Sequence, residues 1–174
     1  QRSMGELDTA VKHLIICSEI ISKTGHLAIY KSYSNYQLAE INNYISDFEA
    51  AETHYKIAVD IAEEIKENSG LFRAYNGLAN LYLSLEKLDL CKEYLDRSLA
   101  LDGLSNSQKS RSYCDLGIYF HKLKDYTQAE KELKLSYELR IGSKLRNAAA
   151  TSLICLSKTL IAIGEYDSAL KALL

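Results

Sequence analysis

The sequence predicts an all-α fold, a right-handed α-solenoid of stacked antiparallel helix pairs. Three observations carry that expectation. The stretch from Phe72 to Leu101, FRAYNGLANLYLSLEKLDLCKEYLDRSLAL, reads as two amphipathic helices joined by a tight turn. Tyr75, Leu78, Ala79 and Tyr82 fall at i, i+3, i+4 and i+7 in its first half, and Cys91, Leu95, Ser98 and Leu99 stripe its second; such spacing keeps apolar side chains on one helical face. The same pattern then recurs along the chain. Proline is absent, and no segment alternates as a strand would; a chain helical almost throughout has no use for a residue that breaks helices.

Taken in order, the chain opens on Leu7 to about Lys23, where Ala10, Leu14, Cys17 and Ile21 form a stripe that Ile15, Ile16 and Ile20 widen. Gly25 is the expected cap. Gly5-Glu6-Leu7-Asp8-Thr9-Ala10 parallels Gly164-Glu165-Tyr166-Asp167-Ser168-Ala169, so residues 1–25 read as the second half of a truncated unit. The first full unit, 27–70, places helices at about Leu27 to Asn43 and Asp47 to Lys66; Leu38, Ala39, Ala51, Tyr55 and Ala58 sit 40 residues before their counterparts. Asn35 and Asn42 replace two aromatic residues there, and Asn68-Ser69-Gly70 is the expected stop. Unit 71–103 ends on Asp102-Gly103. Unit 105–142 starts with N-cap candidates Ser105, Asn106 and Ser107 and repeats the central pattern 38 residues on, as Tyr113, Leu116, Gly117 and Phe120, then Ala129, Leu133, Ser136 and Tyr137. Residues 143–174 begin another unit with Leu153, Leu156, Ser157 and Leu160 leading to Ala169 and Leu173. Glycines 25, 70, 103 and 142 punctuate these units, and Gly117 and Ala129 are small where two helices are expected to cross.

These copies resemble the tetratricopeptide repeat, a helix-turn-helix unit of about 34 residues marked by a large residue, Leu-Gly, a Tyr, and later an Ala, an aromatic residue and an Ala. LGIYFHKLKDYTQAEKEL, Leu116 to Leu133, matches best. The chain lacks the family's Trp and closing Pro, and its 38- to 40-residue spacing is longer. The resemblance implies a single repeat domain over 1–174 whose first helices line a concave side. Longer repeats of this kind are similar to those of signalling regulators, peptide receptors and motor-cargo adaptors.

Composition narrows the function. The formal charge is −2, which gives no overall basic field for nucleic acid or an anionic membrane. Residues 1–71 carry 6 basic and 11 acidic side chains and the remainder 15 and 12, an axial asymmetry suited chiefly to solvated faces. No apolar run is long enough to span a bilayer. Cys17, Cys91, Cys114 and Cys155 are scattered without CxxC spacing, which fits reduced thiols and a cytoplasmic setting. His13, His26, His54 and His121 have no metal-ligand spacing, and no phosphate loop or nucleophile motif is present. No cofactor, no metal and no enzymatic role are expected.

What remains is a surface. If the resemblance holds, residues one step from the core stripe of each first helix face the hollow: Tyr33, Tyr36 and Glu40 in the first full unit, Arg73, Asn76 and Asn80 in the second, Arg111 and His121 in the third, Lys158 in the last. Asn76 and Asn80, at i and i+4, are suited to pairing with the main chain of an extended peptide, and Arg73 and Arg111 to a carboxylate. The Lys-Asn, Asn, Lys-Arg set of chaperone-binding repeats is missing, since Tyr36 and Glu40, or Asp115, Thr151 and Cys155, occupy its places. The expected function is a scaffold that binds a protein or peptide segment in a concave groove. The alternative is a sensory or dimerisation segment of a larger bacterial-type signalling protein with a cyclase, kinase or DNA-binding output. Exposed repeat ends would also permit homo-oligomers.

Overall fold

A computed structural model describes residues 9–16, 19, 28–143 and 146–173. Residues 9–16 are the described part of a first helix, α1. It is followed by α2 (Ala28–Tyr44), α3 (Phe48–Glu64), α4 (Asn68–Ser84), α5 (Leu88–Leu99), α6 (Asn106–Lys122), α7 (Tyr126–Gly142), α8 (Arg146–Ala162) and α9 (Tyr166–Leu173). No strand occurs among the described residues. The expectations for Gly5 to Asp8, Cys17, Ile20, Ile21 and Gly25 lie outside them.

The contacts group into two compact units, Gln1–Lys87 and Leu88–Leu174. The division falls inside the 71–103 repeat of the sequence reading, so the two helices of that repeat belong to different units. In the first unit α2 packs on α3, α3 on α4, and α2 also touches α4; in the second each helix from α5 to α8 packs on its successor and α6 also touches α8. Contact with the next helix and the next but one is the signature of stacked helix pairs.

The helices form where the apolar stripes stand. Tyr75, Leu78, Ala79 and Tyr82 of α4 are all buried, as are Cys91, Leu95 and Ser98 of α5. Asn35 replaces an aromatic side chain without leaving a buried polar group unpaired: its Nδ2 donates to the Lys31 carbonyl at 2.9 Å, and its Oδ1 lies 3.0 Å from His54 Nδ1. Burial holds the His54 imidazole below its ordinary pKa, toward the neutral form. Gly117 makes room for Leu133, because a Cβ there would stand 2.4 Å from Leu133 Cγ. Gly77 does the same for the Tyr55 ring, at 2.2 Å from Cε1.

One expectation fails in an informative way. Asn68, Ser69 and Gly70 do not end a helix; they begin α4, and the stop lies earlier, in the turn of residues 65–67. Gly142 is likewise the last residue of α7 rather than a turn residue. The turns follow another rule. After α2 the Ser46 amide donates to the Asn43 carbonyl at 3.0 Å and the Asp47 amide to Asn42 at 2.8 Å, while Asp47 Oδ1 accepts from the Ala50 amide at 3.1 Å. The residue that closes the C-terminal motif of one helix is thus the N-cap of the next. The same backbone pattern joins α3 to α4, α4's end to Lys87, α6 to α7 and α8 to α9. Among the fully described connections that between α5 and α6 is longer; there Gly103 takes φ +75° and Ser105 forms a capping box with Gln108.

Candidate functional site

In the first unit the expected surface residues are largely engaged with one another. Tyr33 is exposed, and the Arg73 guanidinium lies over its ring, 5.4 Å from the centroid. Gln37 Nε2 donates to the Tyr33 hydroxyl at 2.8 Å, and Tyr36 stands 6.3 Å from Tyr33 and 6.0 Å from Tyr55, ring to ring. The Tyr55 hydroxyl donates to Glu40. Arg73 Nη1 donates to Ser69 Oγ at 3.0 Å, and Nη2 lies 3.5 Å from Glu67. Glu40 also borders a cleft of about 630 Å³ shared with Ala10, His13, Leu14 and Tyr44.

The asparagine pair does not act as the sequence suggests. Asn76 is buried, with 1% of its surface exposed, and its Nδ2 donates to the Phe72 carbonyl at 2.8 Å. Asn80 remains half-buried on α4. Arg73 belongs to the first unit and Arg111 to the second.

The second unit brings its candidates together on the facing surfaces of α6 and α8. One cleft of about 350 Å³ is lined by Ile118, His121, Leu133, Cys155, Lys158 and Thr159. Another, of about 290 Å³, shares Ile118 and is lined by Arg111, Cys114, Asp115, Arg140 and Thr151 among others. Helical spacing explains the alignment: Arg111, Cys114, Ile118 and His121 run i, i+3, i+7 and i+10 down α6, and Thr151, Cys155 and Lys158 run i, i+4 and i+7 down α8. His121 Nδ1 lies 3.0 Å from Thr159 Oγ1, and its ring meets Tyr126 edge-on at 5.4 Å. Arg111 and Lys158 are exposed and form no ion pair among the described residues.

Arg140 is the member that sequence reasoning missed. It belongs to α7, a second helix, yet only 7% of its surface is exposed. Its Nε donates to Ser110 Oγ at 3.4 Å and its Nη1 to Ser152 Oγ at 2.8 Å and to the Ala148 carbonyl. All are neutral acceptors, so a buried positive charge stands at the cleft wall without a paired carboxylate among the described residues. The signal was available: Ala129, Leu133, Ser136 and Arg140 stand at i, i+4, i+7 and i+11, which puts the arginine on the core stripe.

Two thiols complete the wall. Cys114 is buried and Cys155 half-buried, both in or against a cluster with Leu133, Leu156, Leu160 and Ala169. The Cys114 thiol hydrogen-bonds to Cys155. That bond, with Lys158 and Arg140 nearby, outweighs burial and the Asp115 charge and lowers the Cys155 pKa to about 7, while the donor Cys114 is pushed well up. No group of three or more His, Cys, Asp or Glu placed to hold a metal occurs among the described residues, and no described helix is long and apolar enough to cross a membrane.

Comparison with known proteins places this geometry. Residues 70–142 match the family model described as Tetratricopeptide repeat. No curated protein matches the chain. Among solved structures it is similar to BtubC (BKLC) from P. vanneervenii, with TM-score 0.78, 17% identity, and coverage of 98% of this chain and 72% of that one. It is similar to the apo form of RapI, with TM-score 0.80, 20% identity, and coverage of 97% and 47%. A Rap protein complexed with Competence and Sporulation Factor gives TM-score 0.65, 19% identity, and coverage of 98% and 49%. The chain therefore spans about half the length of the two Rap structures. At these identities the likeness establishes the fold, an all-α solenoid of helical repeats.

Proposed function

We propose that this chain, whose residues 70–142 match the tetratricopeptide repeat family, is a scaffold which captures an extended segment of a protein partner along the α6/α8 groove. One observation carries the reading. Two adjoining clefts on the facing first helices of successive repeats are bordered by Arg111, Arg140 and Lys158, against one carboxylate, Asp115, among the described lining residues. Such a surface suits a segment carrying an acidic side chain or a free carboxylate, with the half-buried Ile118 offering apolar contact beside it. The Rap structure with its bound factor supports ligand capture by a stack of this fold. Tyr33, Tyr36, Glu40, Arg73 and Asn80 are secondary in this reading, because most of them already satisfy one another.

The test is fluorescence anisotropy with a panel of labelled synthetic decapeptides in matched Asp/Glu and Asn/Gln versions. Acidic peptides should bind more tightly than their amide counterparts. The double variant Arg111→Ala/Lys158→Ala should weaken them about tenfold or more, the equivalent of losing one charge-assisted hydrogen bond. Equal binding of both panels, or no change in the double variant, would remove the groove from the function.

A further inference from the structure

Cys114 on α6 and Cys155 on α8 stand 41 residues apart in sequence, yet Cys155 packs against the buried cluster that holds Cys114, at the wall of the α6/α8 groove. Their surroundings differ. Cys114 is 2% exposed in the core, whereas Cys155 borders the open cleft beside Lys158. A reactive thiol needs thiolate character and access, and a nearby second thiol to resolve what it forms. Cys155 has the first two and Cys114 is the third. We infer that Cys155 and Cys114 form a peroxide-reactive dithiol, a modification site built into the wall of the groove.

The chemistry balances with a hydroperoxide as the only co-reactant. The Cys155 thiolate attacks the peroxide; the O–O bond breaks, sulfur is oxidised to the sulfenic acid, and the leaving oxygen departs as hydroxide, or alkoxide from an organic peroxide. The Cys114 sulfur then attacks the Cys155 sulfur. An S–S bond forms, the S–O bond breaks, and the sulfenic oxygen leaves with the thiol proton as water. The charged and titratable groups around Cys155 are Cys114 and Asp115 on α6, Arg140 on α7 and Lys158 on α8, with His121 on the same cleft. The Cys114 thiol, as hydrogen-bond donor, and then the two cations favour the thiolate, while burial and Asp115 oppose it. Closing the bond would tether α6 to α8 and remove a negative charge from beside Lys158, so ligand capture would respond to oxidation. The sulfur chemistry itself does not depend on what the groove binds.

Cys91 is an internal control. It is buried on the core face of α5, and burial followed by the Asp115 charge raises its pKa to about 12. At pH 7 Cys155 should react with iodoacetamide at least about 100-fold faster than Cys91, with a pH midpoint near that of its thiolate. The deciding experiment treats the full chain with a small excess of hydrogen peroxide and locates the products by peptide-mapping mass spectrometry. The expected product is a Cys114–Cys155 disulfide that dithiothreitol reverses. Cys114→Ser should instead leave a sulfenic acid on Cys155 that dimedone traps. A wild-type chain whose Cys155 stays reduced, accumulates sulfenic acid without the disulfide, or oxidises no faster than Cys91 would overturn the inference. The peptide-binding test can fail without touching this one, and the reverse holds.

Discussion

The two units solve the same packing problem with different chemistry. In the first, the positions where a second helix meets the next repeat are Ala58 and Ala74, both fully buried. In the second, the corresponding positions are Ser98 with Ser112 and Ser136 with Ser152, and each pair is hydrogen-bonded, at 2.9 and 2.8 Å. What the position demands is small volume, since the helices approach closely. Polarity is tolerated when it comes in pairs. The second unit gains direction from it: Ser136 also donates to the Ser110 carbonyl at 2.6 Å, and Ser152 receives Arg140 at 2.8 Å. The polar junction thereby holds Arg140 at the groove. The surfaces diverge too. Arg73 and Glu40 are occupied within the first unit, while Arg111 and Lys158 are presented by the second.

The largest effects should come from the two close approaches, one in each unit. Gly77→Ala drives a Cβ into the Tyr55 ring, which is fully buried and tied through its hydroxyl to Glu40. Gly117→Ala drives one into Leu133, whose flexible side chain borders an open cleft. Overpacking costs about 1–3 kcal/mol, and the gain in helix propensity returns up to about 1 kcal/mol. Gly77→Ala should therefore destabilise near the top of that range and Gly117→Ala near the bottom. Urea melts of both variants check the order; equal midpoints would show that the ring yields as readily as the leucine.

Next in size are the serine pairs. Replacing one serine leaves its partner buried with a bond unmade, at a cost of about 1 kcal/mol, whereas replacing both restores the alanine junction of the first unit. Ser98→Ala and Ser112→Ala should each destabilise, and the double variant should cost less than their sum. Ser152→Ala should cost more than Ser98→Ala, roughly 1.5–3 kcal/mol, because a charged donor loses an acceptor. A double-mutant cycle on each pair measures this. Additive cycles would mean that the serines are there for their volume alone.

Much of the fold was legible because burial follows the stripe: Tyr75, Leu78, Leu95, Leu133 and Leu156 are core in the sequence and core in the structure. The turns were misread for a physical reason. A glycine is the usual sign of a helix end, but Gly70 and Gly77 lie inside α4 and leave room for neighbouring helices or caps, while Ser46, Lys66, Glu86 and Lys124 take positive φ where glycine does so only at Gly103 and Gly164 among the described residues. On the site, Arg111, His121 and Lys158 were reachable because they lie one step from the core stripe of a first helix. Asn76 also has that spacing, yet α4 is buried on most of its circumference, which no single-helix pattern reveals. Arg140 and the Cys114–Cys155 contact depend on which helices become neighbours, and pairing across about 40 residues is invisible to local periodicity.

Those turns supply the smallest and most discriminating test. Ser46, Lys66 and Lys124 adopt φ of 65°, 54° and 62°, a left-handed conformation that their Cβ atoms resist, while Gly164 occupies the equivalent place before α9 at φ 84° without that penalty. Glycine at Lys66 or Lys124 removes the strain but frees the unfolded chain, so the net stabilisation should be about 0.5 kcal/mol at each site. For a chain of this size that is a rise in Tm of about 1–2 °C, with the two sites adding because they lie in different units. Gly164→Ala should move the other way by about 1 kcal/mol. If Lys66→Gly and Lys124→Gly lower the melting temperature instead, the lysine side chains contribute more at these turns than the backbone strain costs, and the near-absence of glycine there is selected chemistry rather than tolerated strain.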